Sequence, residues 1–506
     1  MLLIVVAVST LIFLLLTFLI SNYTSAKAQA PSPPKWPIIG HLHLLGKLPH
    51  QSLAALSLTY GPIMPFKLGM RKAVVISSPH PAKQIFKTHD RKFSSRPVPL
   101  AAKTLSYGGN SLVWAAYGHH WRLLRRLSFT ELFSTKRLNS MEKFRKAEVS
   151  KTMASIYEES IKGNSVNIGS TVFSTMLGIV ENMVCGNYVF KKGDELATEL
   201  KGMVRDVLKL SGEPNASDFF PFLRGLDLQG VERRAQKLRE RFDGIFSEMI
   251  ERRLKDMREK GMVNERDEES GRGIKESDFL GVLLELMDHN EGLQMEHVKG
   301  MLMDMFIAGT DTTSATVEWA MAELLNHPYV MEEARDELRR VIGKDKMMEE
   351  SHIPDVPFLQ AIVKEVLRLH PAAPLLIPRL CDSDCQIDGH IIEKNTEVLV
   401  NVWAIGRDPK VWSDPLKFDP SRFVGTNLEF KGNDYELLPF GAGRRICIGM
   451  PLASSMVHLV LGSLLHYFNW KVEGEVDMTE EFGITLQKAL PLVVVATPSL
   501  PLNPYL

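Results

Sequence analysis

Apolar positions along this chain fall into one continuous run and several periodic ones. Leu2–Ile20 is nineteen residues without a charge, long enough to cross a bilayer as a helix. Lys27 and Lys35, the first charged side chains after it, place the following body on the cytoplasmic side. A cleaved leader competes, since Ala28-Gln29-Ala30 has the form of a cleavage site. The amino end has no basic region and the run is long for a leader, so an uncleaved anchor is the expectation. The sequon Asn22-Tyr23-Thr24 would then face the wrong compartment for glycosylation. Pro31–Gly40 follows as a proline-rich, stiff connector.

Further on, the periods shorten and lengthen. Lys67–Ser77 reads as two strands about Gly69. Trp121–Leu127 reads as a helix on which residues four apart share a face. Trp121 and Arg125 therefore point one way, and Arg122 and Arg126 about a quarter turn aside. Lys136–Glu259 is mostly helical, broken within Gly212–Arg234 by proline and paired phenylalanines, and Asp256–Asp278 reads as a charged, solvated loop. Met295–His327 is one uninterrupted helical pattern, on the order of 50 Å long at about 1.5 Å per residue. Lys364–Pro371 places Glu365 and Arg368 three apart on a helix, where they can pair. Gln386–Val402 alternates enough for strands, and the apolar run Met450–Phe468 reads as a buried helix.

Composition narrows the classes. The chain has 506 residues, 45% hydrophobic, with 60 basic and 60 acidic side chains. That is ample for a large core, and the charge balance offers no nucleic-acid footprint. No linker separates two globular halves. Of the four cysteines, Cys185, Cys381, Cys385 and Cys447, only Cys381 and Cys385 are close in sequence. That is no disulfide framework and suits a reducing, cytosol-facing body.

The densest candidate chemistry lies in Leu437–Leu452, LLPFGAGRRICIGMPL. Gly441, Gly443 and Gly449 permit positive φ, so the loop can curl and aim amides at Cys447, with Arg444 and Arg445 nearby to stabilise a thiolate. A dinucleotide loop would need a third glycine where Ile446 stands. A zinc site would need further cysteine or histidine ligands close by. A buried structural cysteine remains the bland alternative. A second anomaly is Ala308-Gly309-Thr310-Asp311-Thr312-Thr313 inside the longest helix, a cluster of poor helix formers. Met301, Met305, Ala308 and Thr312 share one stripe, and small Ala308 and Gly309 would let a flat ligand reach the backbone. A helix packed through a small-residue groove would need the same residues.

The spacing Phe440-x-x-Gly443-x-Arg445-x-Cys447-x-Gly449 resembles the cytochrome P450 family of plant microsomal haem-thiolate monooxygenases, as do the threonine-rich helix and Glu365-x-x-Arg368. The resemblance covers nearly the whole chain after the anchor. It implies a mostly α fold with small β-sheets and one N-terminal transmembrane helix, divided as anchor 1–26, linker 27–40 and catalytic domain 41–506. It implies haem b with Cys447 as axial iron ligand; Phe440, Arg445 and Gly449 around it; Trp121, Arg125 and Arg379 toward the haem propionates; and Asp311 and Thr312 in proton delivery. It also implies a structural ion network of Glu365, Arg368 and Arg422 beneath the haem. The family commonly has glutamate where Ser421 stands, and a Pro-Pro-Gly-Pro hinge where this chain has Pro33-Pro34-Lys35-Trp36-Pro37. Phe482–Leu490 resembles the hairpin whose turn enters the pocket, and Gly212–Arg234 the pocket roof.

No flavin or dinucleotide loop is evident, so NADPH would act through a partner, NADPH-cytochrome P450 reductase, with Arg122 and Arg126 as candidate contacts. The implied location is the endoplasmic reticulum membrane, with the catalytic domain facing the cytosol. Ala216–Arg234 and Trp319–Pro328 resemble the plant branch that includes cadinene hydroxylase and valencene oxidase. An apolar terpene, a sesquiterpene above all, is the expected substrate, with flavonoids and other phenolics as the alternative. A haem-thiolate isomerase or dehydratase, or a non-enzymatic haem carrier, would share the same cysteine.

Overall fold

The computed structural model describes residues 30–186, 195–264, 278–289 and 292–500. The anchor expected at 1–26 lies outside them. The helices that build the site are α1 Leu100–Leu105, α2 His119–Ser128, α3 Ile168–Cys185, α4 Glu195–Gly212, α5 Val231–Asn264, α6 Met295–Asn326, α7 Pro357–Leu369 and α8 Met450–Tyr467.

The long helix α6 forms as its pattern predicts. Gln294 and His297 exchange side-chain and backbone bonds at its start as a capping box. Pro328, two residues past its end, cannot continue it. Most of α6 is buried, and α3 lies along it. That helix is long and apolar enough to cross a membrane, but 72% of the window is buried inside the protein, so it is a core helix. Gly309 lets the two helices meet: a Cβ there would sit 2.9 Å from Val180 Cγ2 of α3. Of the two small residues expected to admit a ligand, one serves helix packing and only Ala308 stays open.

Four strands form the larger sheet: β1 Ile63–Leu68, β2 Arg71–Ile76, β3 Arg379–Leu380 and β4 Glu397–Val400. Their order is β1-β2-β4-β3. β1 and β2 pair antiparallel with Phe66 opposite Ala73, β2 and β4 run parallel, and Arg379 of β3 faces Val398. Gly69 makes the turn at φ 59°. A two-stranded hairpin pairs β5 Glu480–Glu481 with β6 Gln487–Lys488, so it begins two residues before the segment Phe482–Leu490 that resembles the family's hairpin. A third sheet joins Ser165–Asn167, Val493–Pro498 and Phe468–Lys471.

One expectation fails. The charged composition of Asp256–Asp278 predicts a loop from its first residue, yet α5 continues to Asn264, and 265–277 lie outside the described residues. Glu248–Arg252 and Lys255–Glu259 pair four residues apart along its exposed face, and such pairs support a solvated helix. Dense charge of alternating sign therefore marks helix surface here. Asp278 itself caps the next helix by accepting from Gly281 N at 2.8 Å.

Candidate active site at the cysteine loop

Cys447 follows a short 3-10 turn, Gly443–Arg445, and precedes α8. Its amide donates to Phe440 O at 3.0 Å, which closes the loop. Gly441 and Gly443 take φ of 67° and 68°. At Gly443 a side chain would also collide, since a Cβ would lie 2.6 Å from Phe86 O. Gly449 departs from the expected positive φ. It sits at −79° as the residue capping α8, a conformation any residue adopts.

The sulfur accepts from the Gly449 and Met450 amides, the first groups of a helix whose N-terminus favours negative charge. Burial pushes the Cys447 thiol up, against these amides and the Arg125 charge, which pull it down. The cation beside the sulfur is thus Arg125, not the sequence neighbours Arg444 and Arg445. The 3-10 turn swings those two away. Arg444 Nη1 pairs with Asp90 Oδ2 at 2.8 Å, while Arg445 donates to Ser94 O at 2.7 Å, Leu112 O at 3.3 Å and Ala115 O.

Cys447 is nonetheless exposed at a depth where burial dominates its titration. A residue both accessible and densely surrounded is consistent with one that borders an internal space. On α6, Ala308 is exposed and Thr312 half-buried although Met301, Met305, Thr310 and Thr313 around them are buried. Thr312 Oγ1 donates to Ala308 O at 2.9 Å.

Around the loop, four arginines crowd together: Arg96, Arg125, Arg379 and Arg445. Burial and mutual repulsion lower Arg379 to about 10 and Arg445 to about 9, and hold Arg96 well down. Arg96 donates to Ile377 O at 3.0 Å, but its buried Nε has no partner among the described residues. Arg125 Nη1 donates to Ile446 O at 2.7 Å, and Arg379 Nη2 to Ala442 O at 3.0 Å. The Trp121 ring lies 4.4 Å from the Arg445 guanidinium carbon. Of the nearby carboxyls, Asp90 is shared with Arg444, and burial raises Asp304 to about 7. The cluster is short of negative charge, and a dicarboxylate would supply it. Arg96 carried no periodic signal, and sequence reasoning missed it. Phe440 is half-buried, its ring 5.5 Å from Phe430.

Asp311 points elsewhere. Its carboxyl accepts from Thr485 Oγ1 at 2.7 Å and from Gln487 Nε2 at 2.8 and 2.9 Å, both on the hairpin. Burial raises its pKa; those two donors, Arg205 and Lys201 lower it. Below the loop, Glu365 binds Arg368 at 2.6 Å and Arg422 at 3.1 Å, so the structure assembles the expected trio. Asp419 caps the short turn here, its Oδ1 accepting from Ser421 N at 3.2 Å and from Ser421 Oγ at 2.5 Å. Arg122 and Arg126 are exposed.

A family model, "Cytochrome P450", matches residues 30–495. The chain belongs to the cytochrome P450 family. Curated relatives include cytochrome P450 76C1 of Arabidopsis thaliana, 43% identical over 96% of each chain. Geraniol 8-hydroxylase of Swertia mussotii is 41% identical over 94% of this chain and 95% of its own. Flavonoid 3',5'-hydroxylase of Campanula medium is 39% identical over 94% and 92%. A zebrafish cytochrome P450 solved with abiraterone superposes with a TM-score of 0.72, at 27% identity over 90% of this chain and 99% of its own. This P450 is therefore a monooxygenase that uses haem b, with NADPH supplying electrons through a reductase. The mostly helical fold with small sheets is that of its relatives. The internal surface at Cys447 and the anion-seeking arginines both suit haem.

Proposed function

We propose that this P450 hydroxylates a small apolar terpene, most readily a sesquiterpene. The observation that carries the reading is the accessible strip of α6, where Ala308 is exposed and Thr312 half-buried with its hydroxyl turned back to Ala308 O. Leu376 adds apolar surface beside the loop, its Cδ1 3.6 Å from where a Gly441 Cβ would stand. Such a surface suits a hydrocarbon skeleton held by shape rather than by hydrogen bonds. The geraniol 8-hydroxylases among the relatives support it. The flavonoid hydroxylase relatives favour a second reading, a flat phenolic substrate.

Haem bound through Cys447 supplies oxygen activation. The protein supplies the rest. Trp121, Arg125, Arg379 and Arg445, joined by Arg96, would hold the haem carboxylates, with Phe440 and Gly449 flanking the sulfur. Thr312 would present its hydroxyl at the reacting oxygen, and Asp311 would pass it a proton from solvent. The trio Glu365, Arg368 and Arg422 would fix the floor. The N-terminal run would anchor the enzyme in the endoplasmic reticulum membrane with this body in the cytosol; recovery of the full chain in a salt-washed soluble fraction would refute that location.

Microsomes carrying this chain and a reductase should be offered a panel of terpenes and flavones. We expect hydroxylated terpene that requires both NADPH and oxygen. Turnover of flavones with no terpene product would replace the first reading by the second. Product without NADPH would show an isomerase or dehydratase acting on that substrate.

A further inference from the structure

The hairpin from β5 to β6 does two things at once. Its far side carries Thr485 and Gln487 to the Asp311 carboxyl, at 2.7 to 2.9 Å. Its turn, meanwhile, is wedged against α4. Ile484 N donates to Leu208 O at 3.5 Å, and Gly212 and Gly483 meet without side chains between them. A Cβ on Gly212 would stand 2.8 Å from Gly483 C and 2.9 Å from Ile484 N. The base of the hairpin is pinned as well: Leu486 N donates to Ala372 O at 2.8 Å and Leu486 O accepts from Trp319 Nε1 at 3.3 Å. Both oxygens of Asp311 are thus engaged by one short element that also touches a neighbouring helix.

We infer that Thr485 and Gln487 are positioning residues for Asp311, and that through them the hairpin links the placement of α4 to proton delivery. The inference rests on the proposed role of Asp311. Two neutral donors favour the charged form of the carboxyl, against the burial that raises its pKa, and fix its direction. To reach toward Thr312 it must give up at least one of them. The seating of the hairpin turn against α4 therefore sets how readily Asp311 moves.

The balance sheet of the reaction gives the readout. Coupled turnover is R–H + O2 + NADPH + H+ → R–OH + H2O + NADP+. Where the proton arrives late or at the wrong oxygen, the same two electrons give O2 + NADPH + H+ → H2O2 + NADP+. Peroxide released per NADPH consumed measures the failure directly.

The test uses the full-length holoenzyme with reductase, any substrate it turns over, and the carbon-monoxide spectrum as a folding check. Three changes are compared: Asp311→Asn, Thr485→Val with Gln487→Leu, and Gly212→Ala, which touches neither donor. The hairpin pair and Gly212→Ala should each raise the peroxide share several-fold at unchanged haem content. Thr485→Ser with native Gln487 should restore coupling. In the Asp311→Asn background the hairpin changes should add nothing. Asp311 is faced by Thr485 and Gln487 from the hairpin and by Lys201 and Arg205 from α4. Losing the two neutral donors should move the limb it governs to higher pH.

If Asp311→Asn uncouples but the hairpin pair does not, the positioning inference fails and the Asp311 reading stands. If Asp311→Asn leaves coupling intact, the reading fails and takes the inference with it. A raised KM at unchanged coupling, or additive effects in the Asp311→Asn background, would assign the hairpin to substrate binding alone. If these variants lose haem, Thr485→Ala alone removes one donor and adds no bulk at the turn, and a peroxide share equal to that of the parent overturns the positioning inference.

Discussion

Cys447→Ala is expected to abolish product formation and the thiolate-type carbon-monoxide spectrum together. The sulfur sits where a metal ligand is needed and a plain thiol is costly. Burial pushes its pKa up, while the Gly449 and Met450 amides and Arg125 favour the anion. Those opposing pressures resolve when a cation shares the sulfur's charge, as haem iron would. Alanine leaves two amides and a guanidinium aimed at a methyl group. Haem content should fall, and stability with it: a ligand present at about a thousand times its Kd contributes about 4 kcal/mol. The measurements are haem per protein, the reduced carbon-monoxide spectrum and thermal unfolding of the same samples. Unchanged thiolate spectra in the variant would end the assignment of Cys447 as ligand. A normal spectrum shape with less haem in Arg125→Gln would show that the arginine serves retention rather than ligation.

The parts of this fold that were legible in the sequence are those that depend on near neighbours. Met295–Asn326 declared itself because helix period and length are local properties. The cysteine loop was legible because glycine at 441 and 443 has one main use, and the structure puts both at positive φ. Glu365 and Arg368 are one helical turn apart; Arg422 entered only by family resemblance. What could not be read is which distant groups a side chain meets. Arg444 and Arg445 adjoin Cys447 in the chain but a single tight turn sends them to Asp90 and to the 94–115 segment. The charge that reaches the sulfur comes from Arg125, on α2. Asp311 likewise finds its partners on a hairpin more than 170 residues later. No periodicity encodes such a meeting, and Arg96 was invisible for the same reason. At Asp256–Asn264 the error was different. Polar composition alone predicts a loop, but paired opposite charges one turn apart support a helix.

Glu365→Gln is expected to destabilise the protein by about 3–5 kcal/mol, the usual cost of breaking a buried ion pair from one side. The carboxylate is fully buried and takes four donors: Arg368 Nε at 2.6 Å, Arg368 Nη2 at 2.7 Å, Arg422 Nε at 3.1 Å and Asp419 N at 2.8 Å. Glutamine keeps the volume, so packing is nearly unchanged and the charge is what is tested. It also turns an amide NH2 toward guanidinium donors, which cannot accept from it. Arg368 has other bonds, to Gly406 O at 2.5 Å and Pro415 O at 2.6 Å, yet these carbonyls carry no net charge to offset a buried cation. A loss of that size is a large part of the roughly 5–15 kcal/mol that holds a folded protein together, so the variant should unfold at markedly lower urea. Lys72→Gln, which removes one side of the exposed pair with Glu393, is the matched control and should change stability little, because surface pairs contribute about 0–1 kcal/mol. Because Arg422 and Arg368 together grip the carbonyls of 413–417, the chain entering the cysteine loop should loosen along with the global fold. Amide exchange at 413–423 should therefore rise in Glu365→Gln and not in Lys72→Gln. Equal urea midpoints for the two variants would show that Glu365 is bound but does not hold the floor in place.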